Sequence, residues 1–553
     1  MKNTLILLLL GGTLAAGCTA SQPNSISDKV ESSLEKVEPG DIKAHIAYLA
    51  DDKLKGRLPG TEGYQMAVDY VIDQYKAMGI APGGENGTYL QLVRLRKAFP
   101  GQGATMLLTT GTSQQKQLTQ GTDFAVYPNL EKKQVSVEAP LVFAGYGISA
   151  PELGFDDYAG LDVKGKIVVI LRGAPESFPS TVASSSMDAQ SILNTAAEHG
   201  AVGVLVAQTD PKANVPNLQR GVNGVMGPDG KVAVSRTHFS DPVKLYGVLS
   251  GSELQNLFQA NKLDLAGTIT SLQKGKPVSA DLNAVVDASY TSTYEDIESY
   301  NVIGKIPGAD PELKDEYVVH SAHLDHVGIG RPVDGDSIYN GAHDNASGVA
   351  SLLEIGKIYS RLNKNPKRSV LLVMLTAEEM GLLGSAYFAK NPTVPKESIV
   401  ADINTDMPTI IAPLLAVVPL GAPHSSLMTQ VREAADYLDL EIEEDPEPEQ
   451  NRFVRSDQYS FVAQGIPALH IKYGNKTADG KNNLSETVQE WRPKYYHKPQ
   501  DDINGVFDFE AGKKYVQLNF LIGYKVAQNT ERPTWNEGDY FGERFGKAES
   551  SAR

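Results

Sequence analysis

The sequence contains a single cysteine, Cys18, among its 553 residues. One cysteine excludes an internal disulfide and any metal site built from several thiolates, so a bound metal would need histidine and carboxylate ligands. Basic residues are also in deficit, because 51 Lys and Arg against 67 Asp and Glu leave a formal charge of −16, which argues against a nucleic-acid partner. Neither the GxSxG elbow of serine hydrolases nor the HExxH helix of single-zinc peptidases occurs.

The N-terminus has the composition of a secretory signal. Lys2 precedes an apolar run that is too short to span a bilayer, and small residues then lead to Cys18. The segment 14–18, LAAGC, resembles a bacterial lipobox, whose cysteine is lipidated and becomes the mature N-terminus. A lipobox usually has leucine three residues before the cysteine, where this chain has Ala15, so ordinary cleavage near Ala20 is the alternative. We therefore expect an exported protein, either an envelope lipoprotein held to the membrane only through Cys18 or a periplasmic or secreted protein.

The rest of the chain divides into two patterns. Residues 134–265 contain apolar, β-rich runs bounded by glycine and no cluster of ligating side chains, which indicates an inserted module. From about 295 to 530, strands alternate with helices, which predicts an α/β fold with a mainly parallel mixed sheet flanked by helices. The predicted strands of this region are Asn301–Ile306, Glu316–His320, Ser369–Leu375, Ile399–Asn404 and Ile466–Ile471.

Five polar clusters in this region follow predicted strands or begin helices, where open α/β sheets bind ligands. They are His323-Leu324-Asp325, the loop 341–348 around Asp344, Thr376-Ala377-Glu378-Glu379, Asp406 and His497. Each cluster alone has a structural interpretation, such as a surface His–Asp pair or a helix N-cap. Together they supply two histidines, three carboxylates and a spare glutamate, a donor set for two divalent cations. Nitrogen and oxygen donors suit zinc best, with cobalt or manganese as alternatives.

The clusters HLD, GAHDNASG, TAEE, INTD and YHKPQDD resemble, in this order, the motifs of the M28 family of metallopeptidases, which are zinc aminopeptidases with a pair of metal ions. The inserted module is similar to the protease-associated (PA) domain that many such enzymes carry. The resemblance implies a catalytic α/β domain interrupted by this module. The expected order is a signal peptide at 1–18, a tether at 19–39, the N-terminal part of the peptidase domain at 40–133, the PA domain at 134–265, the catalytic domain at 266–530 and a tail at 531–553.

The resemblance also implies a ligand set of five residues. Asp344 would bridge two zinc ions. One ion would be completed by Glu379 and His497, and the other by His323 and Asp406. His326, one residue beyond the HLD motif, is interpreted as a loop histidine outside the ligand set.

Three further residues receive catalytic roles from the resemblance. Glu378 would be the general base and acid, Asp325 would orient His323, and Tyr496 would donate a hydrogen bond to the oxyanion. The expected activity is peptide hydrolysis through a metal-bridging water, with removal of N-terminal residues from peptides or proteins. Other amidohydrolases of the same fold remain open, namely a dipeptidase, a carboxypeptidase or a single-zinc glutaminyl cyclase, as does a receptor-like member that binds proteins without catalysis.

Overall fold

The computed structural model describes residues 26–111 and 114–546. The predicted signal peptide and Cys18 lie outside these ranges. The helices are α1 (Asp28–Glu35), α2 (Pro39–Leu49), α3 (Glu62–Met78), α4 (Ser180–Ser186), α5 (Ala189–Glu198), α6 (Gly251–Ala260), α7 (Leu265–Gln273), α8 (Ser347–Ser360), α9 (Leu383–Lys390), α10 (Leu427–Tyr437), α11 (Gln458–Val462), α12 (Leu484–Tyr495), α13 (Phe509–Gln528) and α14 (Tyr540–Phe545).

Twenty-two strands occur in the described residues. They are β1 (Ala81–Pro82), β2 (Leu90–Pro100), β3 (Thr105–Thr110), β4 (Gln114–Leu118), β5 (Phe124–Val126), β6 (Gln134–Ala144), β7 (Ser149–Ala150), β8 (Phe155–Asp156), β9 (Ile167–Leu171), β10 (Gly203–Ala207), β11 (Val222–Met226), β12 (Val232–Val234), β13 (Leu245–Leu249), β14 (Ser279–Ile306), β15 (Tyr317–His323), β16 (Gly328–Val333), β17 (Asp336–Tyr339), β18 (Ser369–Leu375), β19 (Ile399–Asn404), β20 (Ala416–Leu420), β21 (Glu441–Ile442) and β22 (Ala468–Tyr473).

The catalytic region is built on a mixed sheet with a parallel centre. Strand β15 pairs in parallel with β18 on one side and with β19 on the other, and β19 pairs in parallel with β22. Antiparallel strands flank this centre, with β14 beside β18 and β20 beside β22. The four central strands are buried along their whole lengths, as strands at the centre of a parallel sheet covered on both faces are. The predicted α/β class with a mixed sheet is confirmed, and the carboxyl ends of the central strands share one edge.

A second sheet belongs to the inserted module. Its centre is also parallel, with β9 between β6 and β10, and β13 beyond β10. The 28-residue strand β14 joins the two sheets: its first half pairs with β3 and β6, and its second half pairs with β2 and β18. One continuous strand therefore forms part of both layers.

Helices cover both faces of the catalytic sheet. On one face, α2, α8 and α13 pack together around Ile46, Leu353 and Leu521. On the other face, α9, α11 and α14 contribute Phe388, Phe461 and Phe541 to a core that extends into the inserted module. In the described ranges we find no helix with the length and apolar character that crossing a membrane requires.

Three groups of elements lie across the predicted domain boundaries. Strands β3, β4 and β5 fall in the range predicted for the peptidase domain, yet they pair in the second sheet and face its core. Helix α1 occupies part of the predicted tether and buries Val30 and Leu34. Helix α14 lies in the predicted tail and buries Phe541 completely. In each case apolar side chains pack into a core.

Candidate metal centre

Three of the five predicted clusters converge because they follow adjacent parallel strands. His323 is the last residue of β15, Glu378 and Glu379 follow β18, and Asp406 follows β19 by two residues. Because β18, β15 and β19 are neighbours in the sheet, their carboxyl ends bring these side chains to one place. This is the edge at which the sequence predicted a ligand site.

The Asp344 loop reaches the same edge from the start of helix α8. The carboxylate of Asp501 holds this loop, since it accepts hydrogen bonds from the backbone N–H of His343 at 2.9 Å and of Asp344 at 3.1 Å. Asp501 belongs to the loop that also carries His497, so one contact fixes both segments. Burial raises the pKa of Asp501 to about 7, although these backbone hydrogen bonds oppose the shift.

Asp344 lies at the centre of the cluster and divides its two oxygens between two histidines. Its Oδ1 is 3.3 Å from His323 Nε2, and its Oδ2 is 3.1 Å from His497 Nε2. Glu379 Oε2 is 3.2 Å from the same atom of His497, and Asp406 Oδ1 is 3.4 Å from His323 Nε2. All five predicted ligands are thus brought together.

These side chains form two groups of donor atoms that share Asp344. We call the group of Asp344, Glu379 and His497 the Glu379 position, and the group of His323, Asp344 and Asp406 the Asp406 position. Within each group the donor atoms lie within 4.8 Å of one another. Nitrogen and carboxylate donors at this spacing, buried or half-buried, fit divalent zinc, and Asp344 belongs to both groups.

The charged groups of the cluster strongly perturb one another. Burial opposes ionisation of Asp344, but its hydrogen bonds to His323 and His497 outweigh burial and hold its pKa well below the ordinary value. Burial likewise opposes protonation of His497, yet hydrogen bonds to Asp344 and Glu379 raise the pKa of this imidazole to about 10. The clustered carboxylates therefore favour positive charge between them, as a cation site requires.

Glu378 has a different environment from its neighbour Glu379. Its carboxylate belongs to neither donor group in the described part of the chain. Burial, together with the nearby carboxylates of Glu379 and Asp406, raises its pKa well above the ordinary value, while His323 opposes the shift. A glutamate that holds a proton readily and is not occupied as a ligand suits general acid–base work.

Asp325 contacts both His323 and the two glutamates. Its carboxylate lies 4.0 Å from His323 Nδ1, and the shorter contact of that nitrogen, 3.2 Å, is to the backbone oxygen of Asp325. The carboxylate also accepts the backbone N–H of Glu378 at 3.0 Å and of Glu379 at 3.3 Å. The orientation of His323 by Asp325 stays a prediction, and the same carboxylate positions the two glutamates.

His326 lies inside the cluster, which the sequence analysis missed. Its ring is fully buried, and Nδ1 is 2.7 Å from Glu379 Oε1. It joins Asp344, Glu379 and His497 as a fourth donor within the same 4.8 Å span. The sequence did contain a sign of this role, because His326 lies three residues after His323, in the loop that follows β15 at the ligand-binding edge of the sheet.

Arg57 is a second residue that the sequence analysis did not single out. Its fully buried guanidinium donates to the backbone oxygens of Leu324 at 2.9 Å, Asn340 at 2.6 Å and Gly341 at 3.1 Å, and also to Leu49 at 2.6 Å. It thereby ties the loop after β15 to the loop that carries Asp344. Burial lowers the pKa of Arg57 to about 10, so the side chain remains a cation beside the acidic cluster.

Tyr496 stacks on His497, with ring centroids 4.0 Å apart, and the guanidinium of Arg492 lies 3.9 Å from the tyrosine ring centre. Burial and the nearby carboxylates of Asp344 and Glu379 raise the pKa of Tyr496 above its ordinary value, so the hydroxyl keeps its proton. A protonated hydroxyl next to a metal ligand can donate a hydrogen bond, and the oxyanion role of Tyr496 stays a prediction.

The fold and the site define an α/β protein with a cluster of candidate metal ligands at the carboxyl edge of its sheet. Residues 301–513 match the model of Peptidase family M28, and residues 137–239 match the model of the PA domain. These matches agree with the resemblances to the M28 family and the PA domain that the sequence predicted, over these two ranges.

Two curated relatives and one solved structure illustrate the similarity. Leupeptin-inactivating enzyme 1 of Streptomyces exfoliatus is 27% identical over 47% of this chain and 52% of its own length. A protein of Aspergillus fumigatus named probable leucine aminopeptidase 2 is 26% identical over 56% of this chain and 50% of its own. The chain thus matches about half the length of these relatives. The structure of an aminopeptidase from Aneurinibacillus sp. strain AM-1 aligns with a TM-score of 0.46 at 18% identity, over 91% of this chain and 97% of the other.

Proposed function

We propose that the protein is a zinc-dependent exopeptidase, an aminopeptidase that removes N-terminal residues from peptides through two metal ions per chain. The observation that carries the proposal is the division of the Asp344 oxygens between His323 and His497, because it creates two adjacent cation positions around one bridging carboxylate. The M28 match and the aminopeptidase names of the relatives support the same activity.

When bound at these positions, two divalent cations supply Lewis-acid activation of a water molecule and of the scissile carbonyl. Glu378 accepts the proton of the attacking water and returns it to the departing amine. Asp325 keeps Glu378 in place by binding its backbone N–H. Tyr496 would donate to the oxyanion as it forms. The acidic surroundings favour a substrate α-ammonium group, which would direct cleavage to N-termini.

The activity is tested with aminoacyl p-nitroanilides and with the same compounds acetylated at the amine. We expect hydrolysis of the free-amine substrates alone, abolished by a chelator and restored by about two equivalents of zinc. Release of C-terminal residues from amine-blocked peptides would instead identify a carboxypeptidase, and cyclisation of N-terminal glutamine with one zinc would identify a cyclase. Absence of turnover with two zinc ions bound would favour a receptor-like role.

The role of Glu378 is tested by the Glu378→Gln substitution. We expect kcat to fall by about 10²- to 10⁴-fold, because the general base is lost while the ligand set is intact. Zinc stoichiometry, measured by atomic absorption, should stay at the wild-type value. Glu490→Gln, a matched change at an exposed position of α12, should leave kcat unchanged. Activity of Glu378→Gln within tenfold of wild type would remove this residue from the base role.

We further propose that the protein is exported and anchored by a lipid on Cys18. The proposal is supported by the signal-like composition of the N-terminus and by its LAAGC segment. Incorporation of labelled palmitate into the expressed full chain, lost in Cys18→Ser, is the expected result. An unlabelled protein in the soluble envelope fraction would indicate cleavage near Ala20 instead.

A further inference from the structure

The two cation positions differ in how their carboxylates are held. At the Glu379 position, Oε1 of Glu379 accepts a hydrogen bond from His326 Nδ1 at 2.7 Å, which leaves Oε2 directed at His497. The His326 ring is fully buried and packs against Gly341, where an added Cβ would lie 2.6 Å from the ring carbons. The imidazole therefore has little freedom to move, and it fixes which Glu379 oxygen faces the cation position.

The Asp406 position has no equivalent support. Among the residues that the structure describes, the hydrogen-bonding partner of the Asp406 carboxylate is His323, at 3.4 Å, a longer contact than the 2.7 Å between His326 and Glu379. His470 and Lys472 bind the backbone oxygen of Asp406 rather than its carboxylate. The side chain of Asp406 is therefore held less firmly than that of Glu379.

Pre-orientation of a ligand raises metal affinity, because less conformational freedom is lost on binding. We propose that His326 is a positioning residue for Glu379 that makes the Glu379 position the tighter of two unequal zinc sites, so that it fills first and the Asp406 position fills second. This inference rests on the two-metal centre of the proposed function. It adds the order in which the two zinc sites fill, and it names His326 as the residue that determines this order.

The experiment is a zinc titration of the chelator-treated full chain in competition with a chromogenic zinc indicator. We expect two binding steps whose dissociation constants differ by at least tenfold. His326→Leu should weaken the first step by about 10- to 100-fold, the range found when an outer partner of a metal ligand is lost, and leave the second step within about threefold of wild type. A single step of two equal sites in the wild-type protein, or an unchanged first step in His326→Leu, would overturn the inference.

Two further variants, His326→Asn and a control at His424, distinguish a positioning role of His326 from direct zinc ligation and from general damage to the fold. His326→Asn presents an amide N–H near the place of Nδ1, so it should restore most of the first-step affinity if the ring acts only by its hydrogen bond. Loss of affinity in both His326→Leu and His326→Asn would show instead that His326 is itself a zinc ligand, and would overturn the positioning role.

The matched control is His424, whose ring makes the same kind of 2.7 Å contact, to Asp539, in the core around Phe453 and Phe541. His424→Leu should change neither binding step. Loss of zinc affinity in this control as well would mean that general damage to the fold explains the His326 result. A wild-type protein that binds no zinc would contradict the proposed function, whereas two equal zinc sites with peptidase activity would contradict only the present inference.

Discussion

Some histidines outside the metal centre are buried in environments that keep them neutral. Burial lowers the pKa of His238, in the inserted module, to about 4 and that of His320, beneath α13, to about 3. An unfolded chain protonates histidine near pH 6.5. Between these values the unfolded state binds protons that the folded state excludes, so folding stability is full above about pH 6.5 and falls as the pH drops toward 4.

The substitution His238→Phe measures how much one such histidine contributes to the pH dependence of folding stability. The phenyl ring can keep the contact with Tyr127, whose ring centroid is 4.4 Å from that of His238, but it cannot take a proton. We expect the loss of unfolding free energy between pH 7 and pH 4.5 to shrink by about 2 kcal/mol relative to wild type. Urea unfolding at the two pH values gives this difference.

The control for this prediction is His199→Phe. His199 is exposed and stacks on Tyr158 in the same module, at 4.2 Å. Because the His199 side chain is exposed, an equal effect of the two substitutions on the pH dependence would contradict the linkage to burial.

At the level of single residues, the sequence predicts that the five candidate ligands lie together, because four of them follow a strand or lie at the start of a helix at one edge of the sheet, and His497, which follows helix α12, joins them there. It does not predict the place of His326 or the contacts of Asp325, because these depend on the orientation of individual side-chain atoms. Whether His323 meets the carboxylate or the backbone oxygen of Asp325 is decided by a difference of about 1 Å. Spacing along the chain does not carry such information.

Short connecting elements, rather than the sheet alone, hold the metal centre in shape. The 3₁₀ turn Asp52–Arg57 packs against the β16–β17 hairpin. Arg57, the last residue of this turn, donates hydrogen bonds to four backbone oxygens. Gly56, with φ +69°, lies so close to the hairpin that an added Cβ would lie 2.4 Å from the Tyr339 backbone oxygen. The turn, the hairpin and the Asp344 loop therefore form one packed unit.

Replacing Arg57 should loosen this unit. Arg57→Met keeps most of the side-chain volume but leaves four carbonyl groups without their donor, and we expect the free energy of unfolding to fall by about 3 kcal/mol or more. Because the Asp344 loop loses its tie to the loop after β15, zinc affinity should fall as well. Urea unfolding and the indicator titration measure the two effects.

Two comparisons make the Arg57 prediction specific. Arg57→Lys retains the charge but not the forked donor geometry, so it should recover only part of the stability. Lys53→Met, an exposed change in the same turn, should alter stability by less than about 0.5 kcal/mol. If Arg57→Met were as stable as Lys53→Met, the turn would not be a structural support of the centre.

The sequence predicts some elements closely and others poorly. The strands Ser369–Leu375 and Ile399–Asn404 are observed with the predicted bounds, since buried parallel strands are continuous apolar runs with polar ends. The predicted strand Asn301–Ile306 is only the end of β14, which begins at Ser279. Along most of β14 buried and exposed residues alternate, and its partners come from distant parts of the chain, so local pattern gives no sign of its full length.

For the molecule as a whole, β14 couples the inserted module to the catalytic domain. The strand crosses from one sheet to the other near Ser292, whose N–H donates to Lys133 and whose hydroxyl accepts the N–H of Asn129 at 2.9 Å. The core that contains Phe143 of the module also contains Phe388 and Phe461 of the catalytic domain. Chains of this length commonly unfold domain by domain, whereas a shared strand and core favour a single transition.

The two tryptophans allow this coupling to be tested, because neither Trp491, in α12, nor Trp535, beyond residue 530, lies in the inserted module. Their fluorescence reports the packing around α12 and around the shared core, while far-ultraviolet circular dichroism reports both sheets. In the wild-type protein we expect the two signals to change at the same urea concentration. Ser292→Pro removes a strand N–H at the crossing point and should separate the signals, with part of the circular dichroism change preceding the fluorescence change.

Ser292→Ala is the matched variant, because it loses the hydroxyl contact but keeps the backbone N–H and the strand. Its two transitions should stay coincident and move together by about 1 kcal/mol at most. A wild-type protein in which circular dichroism already changes well before tryptophan fluorescence would mean that the module unfolds independently. In that case β14 would connect the two sheets without coupling their stability.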